Sequence, residues 1–177
     1  MAVLEILVYP DERLRAECDA VVDFDDPDFQ GFLDDLIETM EAAPGCTGIA
    51  APQAGRAIQV VVVDPGLARK PQEGHHGRQV LVNPEILSWD GMEMAREGCL
   101  SLPDYTGNVV RAKSIRIQFQ DRYGKPQTFS AEDFEARLYQ HEMDHLEGRL
   151  FIDRVVSRKS DLFSRKSYGK SKKKKGA

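Results

Sequence analysis

Gln140-His141-Glu142-Met143-Asp144-His145 reads H-E-x-x-H, inside a stretch, 131–147, whose apolar spacing is helical. Side chains four residues apart stack on one helix face, so His141 and His145 can share a metal ion. Glu142, beside the first histidine, is placed to reach a metal-bound water and take its proton. Phe134 and Leu138 lie on the same stripe, which turns the histidines toward the core side. Ser130 with Asp133 predicts a capping arrangement at the helix start, and Gly148 a stop at its end.

The segments around this helix set the fold class. Asp26-Pro27 is a helix start, with an acceptor at the cap and proline at the first helical position. Phe29, Phe32, Leu33, Leu36, Ile37 and Met40 follow at helical spacing, which predicts a helix over 27–42, ended by Ala43-Pro44-Gly45. Residues 58–63 are β-branched and short, as in a buried strand. Further strands are expected at 79–87 and 92–95. Residues 114–120 alternate strictly, and Asp121 to Pro126 turns the chain into another strand. Strands gathered between two helices predict an α+β fold: mixed, mostly antiparallel sheets packed around a C-terminal helix that carries the H-E-x-x-H motif.

The chain has 177 residues, enough for one well-packed domain. We expect one catalytic domain over 1–164 and a Lys-rich, disordered tail over 165–177. The tail holds seven basic residues and no acid, leaving 17 basic against 29 acidic residues, a net −12, in the rest. Such a cationic tail on an acidic body suits contact with ribosomal RNA. No apolar run approaches the ~20 residues that span a bilayer, and no membrane segment or sequence-specific DNA binding is expected. The start meets Glu5 without a basic stretch, so no signal peptide is expected. Cys18, Cys46 and Cys99 form no disulfide framework, which makes the cytoplasm the expected compartment.

Two histidines leave a divalent metal short of ligands. No histidine follows His145, and Glu147 points off the ligand face. Upstream stand His75, His76 and Cys99. The two histidines sit between glycines in what reads as an exposed, solvated loop. Cys99 lies in Glu97-Gly98-Cys99-Leu100-Ser101, after an expected strand, and thiolate suits a borderline-soft metal. A third element, Gly48-Ile49-Ala50-Ala51-Pro52-Gln53, permits a tight loop and offers the Gln53 amide to a developing oxyanion.

Cys46 through Gln53, Glu97 through Ser101 and Gln140 through Leu146 together resemble the motifs of the peptide deformylase family, in its order and spacing over roughly 4–157. Tyr9 to Arg15 is similar to the family's start. Cys46 stands where the first motif has glycine, and Asp104 to Gly107 carries no arginine where some members have one near the substrate. The resemblance implies a mononuclear site of Cys99, His141 and His145 with water as the fourth ligand. It favours Fe(II), with Ni, Co or Zn also accepted. It implies hydrolysis of the N-formyl group from the initiator Met of nascent chains, with formate released. Glu142 would act as general base and acid, and Gln53 and the Leu100 backbone N–H would hold the oxyanion. Thr47, Gly48 and Gly98 would lie along the peptide, and Leu138 would line the Met pocket. Glu97 is expected to pair with Arg111 under the site, and Asp144 to support it from behind. An H-E-x-x-H endopeptidase and a ribosome-binding module with a structural metal are the rivals. The first lacks a downstream third ligand, and the second lacks a fourth.

Overall fold

Asp26 and Pro27 start the first helix as expected. The computed structural model describes residues 2–165, and helix α1 spans Pro27–Ala42, with the Asp26 carboxylate accepting from the Asp28 N–H at 2.9 Å. The strands are β1 (Gly48–Ala50), β2 (Val60–Val63), β3 (Gln79–Cys99), β4 (Leu102–Gln120), β5 (Pro126–Glu132) and β6 (Leu162–Ser164). The first five pair in chain order, β6 pairs with β4, and every pairing is antiparallel. The parallel component of the expected mixed sheet is confined to one isolated bridge, Asp19 with Ile58.

Helix α2 (Asp133–Leu146) packs on β1, β2, β4 and β5. Val61 and Val63 face α2 with Leu81, Ile115 and Leu138, whereas Val60 and Val62 face α1 with Leu33, Leu36 and Met40. A strand covered on both sides needs no polar face, which is why four valines stand in a row. Each such side chain, fully withdrawn from water, contributes about 1.5–3 kcal/mol.

Three local expectations are corrected. The separate strands over 79–87 and 92–95 are one strand, β3, whose ladder shifts register between Val82 and Glu85 and between Ile86 and Ser88. Asn83, Pro84 and Gly91 break the alternation in sequence, but the long partner β4 carries the strand across them. The Ser130 cap does not form, because Ser130 pairs with Arg116 in β5 and α2 begins at Asp133 with no side-chain cap. His76 is also not simply solvated. Its ring stacks on Phe129 with centroids 4.3 Å apart, and its Nδ1 lies 2.6 Å from the buried carboxylate of Glu135.

Gly148 ends α2 at φ +70°, and a Cβ there would lie 2.5 Å from the Arg15 carbonyl oxygen. Gly148→Ala is expected to lower stability by about 1–3 kcal/mol, read as an earlier urea midpoint at unchanged slope. The Lys-rich tail lies outside the described residues apart from Arg165. Among the described residues, no helix is long and apolar enough to cross a membrane.

Candidate metal centre

Helix α2 presents His141 and His145 on one face, and β3 ends beside them at Cys99. One ligand atom from each of the three lies within 4.8 Å of the others, and all three residues are buried. Cys99 Sγ stands 3.5 Å from His145 Nε2. Neither His75 nor His76, the other upstream candidates, joins this group.

The ring of His141 is aimed from behind. Its Nδ1 lies 2.7 Å from Glu97 Oε1, which fixes the orientation of the ring and leaves Nε2 for the ligand side. Glu97 is itself gripped by Arg111, at 2.9 and 2.8 Å, and by Arg137 at 2.6 Å. Burial alone would raise the Glu97 carboxyl, but hydrogen bonds from Arg111 and His141 overcome it and hold the group well below the usual carboxylate range. Arg111 reaches on to Asp144 at 2.5 Å, and Arg154 holds Asp144 through two contacts of 2.7 Å. The expected Glu97–Arg111 pair is therefore present, and Asp144 braces the helix rather than facing the ligands.

The first loop closes the other side. Gly48 backs directly onto α2: a Cβ there would meet Glu142 Cγ and Oε1 and Leu138 Cδ1, each at 2.8 Å. Glycine is required by this approach, and the approach fixes Glu142 against the loop. Gln53 is buried, not a surface amide. Its Oε1 accepts from the Ala50 N–H at 2.9 Å, and its Nε2 points at Cys99 Sγ (3.4 Å) and Ser101 Oγ (3.1 Å). Cys46 is buried, its Sγ lying 3.2 Å from the Gly48 carbonyl oxygen, and burial pushes its thiol up to about 12.

These residues line a cleft of about 740 Å³ that also includes Thr47, Gly98, Leu100, Leu138 and Phe134. A smaller hollow of about 520 Å³, lined by Trp89, Met92 and Met143, contains none of the three ligands. Within the cleft Glu142 is buried, its Oε2 has no hydrogen-bond partner, and burial pushes its carboxyl up to about 7. Burial, aided by His141, holds the His145 ring well below its ordinary value, in the neutral form that ligates. His141 goes the other way: burial lowers it, but its contacts with Cys99 and Glu97 overcome this and draw a proton to it. A cysteine sulfur, two imidazoles and an unpartnered carboxyl oxygen beside them suit a divalent metal with one coordination position left open.

The polypeptide deformylase family model matches residues 3–161. The chain belongs to the polypeptide deformylase family. Within that family it is similar to peptide deformylase 2 of Vibrio cholerae, 42% identical over 94% of both chains. It is 45% identical to a peptide deformylase of Alkalilimnicola ehrlichii, over 94% of this chain and 89% of the relative. The solved peptide deformylase of Thermotoga maritima superposes with TM-score 0.80 at 35% identity, covering 89% of this chain and all (100%) of the other. That of Legionella pneumophila gives 0.78 at 40% identity, over 87% and 86%.

Sequence reasoning missed several parts of this deformylase site. Ser101, fully buried, is one; it holds Gln53 through its hydroxyl, and its carbonyl accepts from the Tyr9 N–H at 2.8 Å. Arg137 is another, and its place one turn before His141 was a usable signal. Arg165 was not foreseeable: it comes from the far end of the chain, and its guanidinium covers Gly98.

Proposed function

We propose that Cys99, His141 and His145 hold one divalent cation and that Glu142 moves the protons of deformylation. The reaction removes the N-formyl group from the formyl-methionine that begins nascent polypeptides. The observation that carries this reading is the unpartnered, buried Glu142 Oε2, which shares a cleft with Cys99 and His141, two of the three converging ligand residues. When bound, the cation supplies Lewis acidity and an acidified water. Fe(II) is favoured, and Ni, Co or Zn suit the same donors.

Glu142 takes a proton from the water that adds to the formyl carbon. Gln53 Nε2 and the Leu100 N–H stabilise the oxygen as it gains charge. The C–N bond then breaks, formate leaves, and Glu142 gives its proton to the departing amine. Thr47, Gly48 and Gly98 pair with the extended peptide backbone, and Leu138 lines the methionine pocket. The cytoplasm fits three cysteines that are all free. Docking to the ribosome through 165–177 is supported by the basic composition of that segment.

The test is anaerobic purification with metal analysis, followed by formate release from a formyl-Met peptide on the same sample. Formate without internal cleavage is expected. Internal cleavage would favour an endopeptidase, and a loaded protein releasing nothing would favour a structural metal. Glu97→Gln removes the carboxylate behind His141 and is expected to weaken metal affinity about 10- to 100-fold, measured by competition with a chelating dye.

A further inference from the structure

The sequence has no arginine at Asp104 to Gly107, yet the mouth of the cleft is strongly cationic. Arg69, Lys70, Arg96, Arg137 and Arg165 all line it. The only carboxylates lining it, Glu97 and Glu142, are buried, and Glu97 is already committed to Arg111, Arg137 and His141. Among the described residues, no ion pair is formed by Arg69, Lys70, Arg96 or Arg165.

These cations are rooted on both walls. Arg69 lies against Gly45, where its Nε would be 2.7 Å from an added Cβ. Opposite, the Arg165 N–H donates to the Asp104 carbonyl at 2.7 Å, continuing the line of β6 along β4, and its guanidinium covers Gly98. Arg96 stacks over Phe163 of β6, 3.6 Å from the ring centroid, and donates to Asn108 at 3.1 Å and to Thr106 at 3.3 Å. So much positive charge at one mouth, Arg165 included, stands out on residues 1–165, whose 18 basic and 29 acidic residues give a net −11.

We propose that this rim selects among nascent chains, favouring formyl-Met peptides with Asp or Glu at the positions after methionine. The inference rests on the cleft being the peptide site. An extended peptide advances about 3.3 Å per residue, so a chain with its formyl group at Cys99 and its backbone along Gly98 carries its next side chains out between these two walls. Carboxylates there meet four cations that lack acidic partners, and lysines meet like charge.

The test compares kcat/KM of the metal-loaded full chain on formyl-Met peptides that differ only in carrying two Glu, two Ala or two Lys after methionine. The Glu peptide is expected to exceed the Lys peptide by about tenfold at low salt and to lose most of that lead at about 1 M salt. In Arg165→Glu, and separately in Arg69→Glu/Lys70→Glu, the ratio is expected to fall to about one or to invert. Equal rates on the three peptides, or a ratio indifferent to salt, would overturn the selection while leaving deformylation intact. Formate from none of them would overturn the reading of the site itself.

Discussion

Glu142→Gln is expected to cut kcat for formate release by about 10²- to 10⁴-fold while metal content stays at the parental level. Glu142 is not among the three ligands, so its amide removes the proton acceptor without removing a donor to the metal. The amide also keeps the shape that packs against Gly48. The pH profile should change with it. Burial sets the carboxyl at about 7 without a cation, and a nearby cation favours the carboxylate and moves that value down. The parent should therefore lose kcat/KM as pH falls through an acid limb below about 7, and the variant should lack that limb. A variant as active as the parent would remove Glu142 from the chemistry.

Arg111→Leu should be the most damaging change away from the ligands. Arg111 is 4% exposed and joins Glu97 on β3 to Asp144 on α2. Without it two buried carboxylates each lose a guanidinium, although Arg137 still serves Glu97 and Arg154 still serves Asp144. Breaking one partner out of such a buried cluster costs about 3–5 kcal/mol, which for a chain of this size lowers Tm by about 6–20 °C. Acidity should narrow the gap between variant and parent. The Glu97 carboxyl is held below its ordinary 4.5, so its contribution is complete above that value and is lost as pH falls toward the depressed one. A Tm within a degree or two of the parent would show that Arg137 and Arg154 suffice.

The helices were legible because their signals are local. Asp26-Pro27 and the Phe29 to Met40 spacing place α1 with its observed boundaries, and the 131–147 pattern places α2 to within two residues. β3 was less legible: Asn83-Pro84 and Gly91 read as breaks, and the pairing that bridges them comes from β4, remote in sequence. At the site, the motif residues could be named from three short segments, and the structure brings Cys99, His141 and His145 together with Gln53 and Glu142 beside them. The support behind them was legible only as the pair Glu97–Arg111 and a bracing Asp144. That Glu97 would also bind Arg137 and aim His141 depends on where a strand end meets a helix. The cationic mouth was hidden for the same reason, since Arg69, Arg96 and Arg165 come from three separate parts of the chain.

The clamp around Arg111 also bears on how the centre is assembled. Cys99 comes from a sheet and the two histidines from a helix, and a guanidinium spanning Glu97 and Asp144 rivets those two supports together, so the distance between them is held by charge outside the ligand side chains.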